Sequence, residues 1–288
     1  MRVLVTGAKG FIGRYVVEAF SKHWPNSKIF AGCRSESCED FLHLSNVKTV
    51  YHNLWNEDHS ITFQRNYDII VHLSWPSIHR YNDPCHVNEV LPAQKRFIDQ
   101  ALRFTSNLTI SGTCFEYGLI DGALIEDIEA NPVTQYGIAK NELRKYVFDS
   151  APENTWLKWL RIFYVYGQGQ STKSLIPQLE NAIASNEESF NMSGGQQVRD
   201  YLLVNELAEI IVKVAKREKI KGIFNCSSNK PVVLEAFVKK FITNNYPDSK
   251  INLNLGFYPY NDLEPFAFWG DNSKLISLLN DDYNTPTF

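Results

Sequence analysis

A chain of 288 residues can bury one large core or two modest ones without disulfides or a metal to hold it. Lys+Arg 29 against Asp+Glu 32 gives a net charge of −3 with no basic block, which argues against an extended nucleic-acid surface. Cys33, Cys38, Cys85, Cys114 and Cys226 are odd in number and scattered, without paired C-x-x-C spacing, so reduced thiols are expected and a metal site is not. The longest apolar run, Ile162 to Tyr166, is five residues, against roughly 20 needed to span a bilayer. Met1-Arg2 passes straight into Val3-Leu4-Val5 with no signal-peptide core, so a cytoplasmic chain without membrane contact is expected.

In chain order, short apolar runs alternate with amphipathic stretches. Strands are expected at Val3–Thr6, Ile29–Gly32, Thr49–Tyr51, Ile69–Leu73, Leu108–Ile110, Leu157–Ile162 and Ile223–Asn225, continuous and apolar as strands covered on both faces are. Helices are expected at Phe11–Phe20, Asn88–Phe104, Tyr136–Phe148 and Asn205–Lys216. This βαβα pattern predicts an α/β fold, a doubly wound parallel sheet of the Rossmann kind. From Gly167 to Gln197 and after Ser228 the alternation fails, and Pro, Asn and aromatic residues accumulate. A dinucleotide-binding domain over 1–167 and 198–228 is therefore expected beside a small discontinuous substrate domain over 168–197 and 229–288.

The first expected strand runs into Gly7-Ala8-Lys9-Gly10-Phe11-Ile12-Gly13 and then a helix. Gly7 permits the tight turn, Gly10 lets the backbone approach a pyrophosphate at the helix N-terminus, and Gly13 lets helix and strand pack closely. At the end of the second strand a carboxylate would select the ribose of NAD(H), whereas a cation selects a 2′-phosphate. The sequence there is Gly32-Cys33-Arg34-Ser35, with no acid. Arg34 offers a planar fork for phosphate, Ser35 a hydroxyl and Lys9 further charge, so NADP(H) is the expected cofactor.

A second constellation is Tyr136-Gly137-Ile138-Ala139-Lys140, preceded by Ser111-Gly112-Thr113 at a strand end. Residues i and i+4 share a helix face. Lys140 is therefore expected to pull the Tyr136 phenol below its reference value of about 10 and make it a proton donor to a carbonyl. Thr113 is positioned to hydrogen-bond the same oxygen.

These motifs resemble the extended short-chain dehydrogenase/reductase family, in its NAD-dependent epimerase/dehydratase branch acting on nucleotide sugars. The resemblance runs through Thr6 to Gly13, Thr113 to Gly118, Tyr136 to Lys140, Leu160 to Gly169 and Arg199 to Ala208. It implies a Thr113–Tyr136–Lys140 triad and a nucleotide-diphospho-sugar partner gripped by the C-terminal region, in a homodimer. It further implies that Asn53 and Leu54 lie beside the adenine and that Leu73, Ser74, Trp75 and Phe163 line the nicotinamide half. Trp75, Cys114, Tyr164 and Asp271 are then expected around the substrate, and Arg199 at its pyrophosphate. Tyr164 stands where the family usually has Asn, and Phe257 to Asp262 lacks a second pyrophosphate arginine.

Within the family, dehydratases carry Asp-Glu after the catalytic Thr, where this chain has Cys114-Phe115; epimerase–reductases carry a Cys at the position of Phe115 and a later His, and no His follows His86. The segments Gly112 to Gly118 and Glu264 to Lys274 look like those of 4-ketoreductases acting on nucleotide-linked 4-keto-6-deoxyhexoses. Reduction of dTDP-4-keto-6-deoxyglucose to dTDP-D-fucose in deoxysugar or surface-polysaccharide biosynthesis is the activity this implies. A CDP-abequose synthase-like reductase, an NAD-dependent 4-epimerase and an NADP(H)-sensing regulator are the alternatives.

Overall fold

A computed structural model describes residues 1–34 and 39–280. Its sheet is built from β1 (Arg2–Thr6), β2 (Lys28–Cys33), β3 (Val47–Tyr51), β4 (Ile69–His72), β5 (Asn107–Thr113) and the strands Trp156–Ile162 and Gly222–Cys226. Their lateral order is Gly222–Cys226, Trp156–Ile162, β5, β4, β1, β2, β3, and every neighbouring pair is parallel. All seven strands expected from the apolar runs are present with shifted ends, and the sheet is doubly wound. The chain starts at β1 in the middle, builds to one edge through β3, then crosses back to β4, so the topological switch point lies between β1 and β4. Ligand crevices in such sheets open there, at the carboxyl ends of the strands.

Both faces are covered, which is why the strands are not of alternating polarity. Val3, Val5, Ile29 and Val71 face α1 (Phe11–His23) and α5 (Val204–Lys216), whereas Leu4, Phe30, Ile70 and Leu108 face α2 (Leu91–Ala101) and α3 (Gln135–Ser150). The strand Trp156–Ile162 interrupts its apolar run with Lys158 and Arg161, both buried and both partnered. Lys158 Nζ donates to Asn107 Oδ1 at 2.6 Å, and burial lowers its pKa to about 7.

The helix expected over Asn88–Phe104 is divided. His86–Val90 winds as a π-helical turn and α2 follows. Pro92 explains the change, because it has no N–H to donate to the carbonyl of residue 88 and its ring crowds that carbonyl.

The later part of the chain alternates between two packing environments. The helices α4 (Leu175–Ala184) and α6 (Leu234–Asn245) enclose a small apolar cluster of Ile176, Leu179, Phe190, Met192 and Val238. Strands Ser189–Asn191 and Asn252–Asn254 pair in parallel beside it. The chain then returns, and α7 (Ser273–Asn280) packs Leu275 and Leu279 into the same core as α1 and α5. No helix among the described residues is long and apolar enough to cross a membrane.

Candidate active site

Close packing at the switch point begins with the glycine turn. Gly7 has φ +68°, a left-handed conformation, and a Cβ there would stand 2.9 Å from the Ser74 backbone nitrogen. A Cβ at Gly13 would lie 2.1 Å from the Gly7 carbonyl oxygen, so any side chain would force α1 away from β1. Gly10 is the N-cap of α1 and supplies no side-chain cap, leaving the first-turn N–H groups directed at the turn. Phe11 and Ile12 begin the helix and are half-buried.

Asp40, which no motif in the sequence singles out, lies beside the glycine turn. Lys9 Nζ pairs with Asp40 Oδ2 at 3.2 Å across an exposed surface, so the short helical turn Glu39–Phe41 brings a carboxylate to the glycine turn. Arg34 is exposed directly after β2. Ser35 lies outside the described residues. Asn53 is half-buried after β3, its Oδ1 accepting from the Trp55 N–H at 3.3 Å, and Leu54 is buried. The Leu73 N–H donates to the Thr6 carbonyl at 3.3 Å, and the Ser74 carbonyl accepts from Gln94 Nε2 at 2.7 Å, which fixes the strand end after β4.

Thr113, Tyr136, Lys140 and Trp75 come together at the ends of β4 and β5. Thr113 is held by a reciprocal cap: its Oγ1 accepts from the Phe115 N–H at 3.3 Å, while its own N–H donates to Glu116 Oε1 at 2.9 Å. Glu116 is wholly buried, and it also accepts from Trp159 Nε1 at 2.9 Å and pairs with Arg161 Nε at 2.9 Å. Tyr136 lies in the first turn of α3, where Thr134 caps the helix by accepting from the Gly137 N–H at 3.0 Å. Its ring packs edge-on against Trp75 and Phe115.

Lys140 lies on the same face one turn later and is buried. Its Nζ donates to the Ser111 carbonyl at 2.6 Å and sits 4.1 Å from the centroid of the Trp75 ring. The expected lowering of the Tyr136 pKa is reversed. Burial pushes the phenol above its ordinary range, and the charge of Glu116 adds to the rise, while the Thr113 hydroxyl bonded to it acts in the opposite direction. Lys140 lies 5.9 Å from the Tyr136 ring centroid with its ammonium bonded to Ser111. Burial also lowers Lys140 itself to about 7, against the pull of Glu116.

The opposite wall is formed by Tyr164, Arg199 and Glu264. Arg199 is buried, with Nη1 donating to the Val198 carbonyl at 2.9 Å and the Phe266 carbonyl at 3.0 Å, and Nη2 paired with Glu264 Oε2 at 3.2 Å. The Tyr164 hydroxyl donates to that same oxygen, and Asn261 Nδ2 donates to Glu264 Oε1 at 2.9 Å. Cys114 lies between the two walls, buried, and its thiol is pushed up to about 12 by burial first and the charge of Glu264 second. It is a neutral thiol near pH 7. Phe163 belongs to the apolar cluster of Cys114, Tyr117, Leu124 and Phe268.

Asp271 lies just ahead of α7. Its Oδ1 accepts from the Ser273 N–H at 2.8 Å at the start of α7, and its own N–H donates to the Leu124 carbonyl at 2.9 Å. Glu264 was not assigned a role from the sequence, because no local spacing signals a carboxylate whose partners are residues 164 and 199.

A family model described as NAD dependent epimerase/dehydratase family matches residues 3–227. The chain belongs to this family. It is 31% identical over 278 residues, 94% of this chain and 99% of the relative, to dTDP-6-deoxy-L-talose 4-dehydrogenase (NAD(+)) of Aggregatibacter actinomycetemcomitans. It is 25% identical over 262 residues, 82% of this chain and 79% of the relative, to dTDP-4-dehydro-6-deoxyglucose reductase of Escherichia coli. Among solved structures, UDP-N-acetylglucosamine 4-epimerase of Methanobrevibacter ruminantium superposes with a TM-score of 0.81 at 20% identity, covering 99% of this chain and 93% of that one, which shows the shared fold. Each of these three proteins is named for a nucleotide-linked sugar.

The buried Glu116 makes a direct prediction. Glu116→Gln keeps the shape but leaves Arg161 as a buried charge without its counter-charge, so unfolding in denaturant should show a loss of about 3–5 kcal/mol. An unchanged midpoint and slope would contradict the role given to this carboxylate.

Proposed function

We propose that the chain interconverts the 4-keto and 4-hydroxy forms of a dTDP-linked 6-deoxyhexose and works as a 4-ketoreductase. The observation that carries this reading is the convergence of Tyr136, Thr113 and Lys140 beside the strand end that carries Trp75. The uncapped start of α1 and the side-chain-free turn at Gly7, Gly10 and Gly13 fit the diphosphate of a nicotinamide dinucleotide. When bound, such a cofactor supplies the hydride that the sugar C4 accepts. Tyr136 gives its phenolic proton to the carbonyl oxygen, and its raised pKa keeps it protonated for that task. Thr113 holds the same oxygen by a hydrogen bond.

Epimerisation beside the ketone needs a base at the flanking carbons. Cys114 is a neutral buried thiol, and His86 is buried with both ring nitrogens engaged, by Trp75 Nε1 and by the Arg80 carbonyl. Simple reduction is favoured. Arg199 is proposed to take the substrate diphosphate in competition with Glu264, and Tyr164 to move with Glu264 when it does. In this reading the nucleotide is carried by Arg199 and by the expected substrate domain 168–197 and 229–288, drawn back to end at 267 because Leu275 and Leu279 of α7 pack into the core of the dinucleotide-binding domain.

The relative named for dTDP-6-deoxy-L-talose covers nearly the whole chain, so the L-talo product is preferred here over the dTDP-D-fucose expected from sequence. At the adenosine end, Arg34 supports NADP(H), whereas Asp40 beside Lys9 and the NAD(+) in the relative's name support NAD(H). We propose that both are accepted, with Arg34 setting the preference for the phosphorylated form.

Two measurements check this. With the 4-ketone of dTDP-6-deoxy-L-talose and with dTDP-4-keto-6-deoxyglucose, Tyr136→Phe should lose about 10²–10⁴ in turnover of NADPH while cofactor binding changes little. Turnover near that of the natural enzyme would remove Tyr136 from the chemistry. Arg34→Asp should move the ratio of kcat/KM values from NADPH toward NADH, and an unmoved ratio would make Arg34 a bystander.

A further inference from the structure

The catalytic face carries a group that the triad does not explain. The Lys140 ammonium has its carbonyl partner at Ser111, yet it also lies 4.1 Å from the centroid of the Trp75 ring, well within the roughly 6 Å reach of a cation–π contact. Trp75 is itself buried and directed. Its Nε1 donates to His86 Nδ1 at 3.2 Å, its ring stacks on His86 at 6.3 Å and 29°, and its edge meets the Tyr136 ring at 5.6 Å. His86 is wholly buried, and its Nε2 donates to the Arg80 carbonyl at 3.1 Å. A carbonyl only accepts, so Nε2 carries the proton and Nδ1 is left as the acceptor that Trp75 needs. The order Arg80 carbonyl, His86, Trp75, Lys140 is therefore a single directed chain, with the loop after β4 at one end and the catalytic helix at the other.

We propose that Trp75 is a positioning residue for Lys140, its indole face holding the ammonium beside Ser111 and Tyr136, and that His86 sets the plane of that indole. The proposal rests on the reading of Tyr136 and Lys140 given above and deepens it. A buried ammonium loses its hydration, and the Ser111 carbonyl with the Ser111 hydroxyl at 3.4 Å replaces only part of it; the electron-rich face of Trp75, the nearest ring, adds support without introducing a counter-ion that would compete with the phenol. The other titratable groups around Lys140 are Glu116, which favours its charged form, Tyr136 on its own helix, and His72 and His86, both held neutral by burial. His72 is further fixed between Thr6 Oγ1 and Gln94 Oε1. Trp75 thus adds support for the charged lysine that does not itself titrate.

The test reads Lys140 directly in the full chain carrying [ε-13C]lysine, its signal assigned by loss in Lys140→Arg. In the natural sequence the Lys140 ε-methylene protons should be displaced upfield by the Trp75 ring. Trp75→Leu should remove most of that displacement, leaving only what the more distant Tyr136 and Trp159 rings produce, and lower the titration midpoint of Lys140 by about one pH unit, the shift that corresponds to a desolvated cation–π contact. Trp75→Phe keeps a smaller ring face and should fall between the two. His86→Phe, which removes the acceptor, should shift the midpoint in the same direction, and His86→Gln, which restores one, should return it. An ε-methylene signal without upfield displacement in the natural sequence, or one midpoint shared by it and Trp75→Phe and Trp75→Leu, overturns the proposal. Reduction of a nucleotide-linked 4-ketone that survives Tyr136→Phe would remove the functional reading while leaving the lysine cage untouched, so the two failures are distinguishable.

Discussion

The Glu116 carboxylate is the constraint around which the catalytic end of the sheet is arranged. It is fully buried, it pairs with Arg161 and it accepts from the Thr113 N–H and from Trp159. A charge in that position is tolerable only with such partners. The consequences spread outward. A Cβ at Gly112 would stand 2.6 Å from Glu116 Oε1 and 2.2 Å from Trp159 Nε1, so the last turn of β5 has room for nothing larger than glycine. Thr113 is fixed by the same oxygen. The phenol of Tyr136 feels the negative charge and is held neutral, while Lys140 feels it as support. One carboxylate therefore biases both members of the Tyr–Lys pair toward their protonated forms, the state that suits donation of a proton to a ketone.

The far wall is built around a second carboxylate. There Glu264 is bound by Arg199, Tyr164 and Asn261. Arg199 also binds the carbonyls of Val198 and Phe266, which ties the segment around Phe266 to the strand Val198–Arg199. A diphosphate approaching this wall meets an arginine that already has an anionic partner. In the reading proposed above, with Tyr164 present and no second arginine near Asp262, nucleotide recognition depends on how Glu264 yields.

The sheet was legible because each strand is a short apolar run bounded by turn residues, and two-sided burial removes the alternation that would otherwise confuse strand with helix. The glycine turn was legible because its spacing is local: Gly13 is required by the Gly7 carbonyl six positions earlier and Gly7 by its own left-handed φ, although the backbone at Ser74 that also excludes a Cβ at Gly7 comes from a distant strand end. Tyr136 and Lys140 were found by their spacing on one helix face. Their electrostatics were not, since the sign of the Tyr136 shift depends on burial by Trp75 and Phe115 and on Glu116, which arrive from other elements. Asp40, His86 and Glu264 escaped because their partners lie across turns and domains with no periodic relation to them. The Asp271 carboxylate accepts from the Ser273 N–H at the start of α7. A short polar residue just ahead of a helix serves that helix's first turn as readily as it serves a ligand.

Transfer of a hydride to C4 alone is the central claim, and following an isotope tests it most directly. Reduction of the 4-ketone of dTDP-6-deoxy-L-talose, or of dTDP-4-keto-6-deoxyglucose, with NADPH or NADH deuterated at the transferring position of the nicotinamide should place one deuterium at the sugar C4. In D2O with unlabelled cofactor, neither C3 nor C5 should gain deuterium beyond the exchange seen without enzyme. Deuterium from the cofactor at any other carbon, or enzyme-dependent solvent deuterium at C3 or C5, would contradict the account.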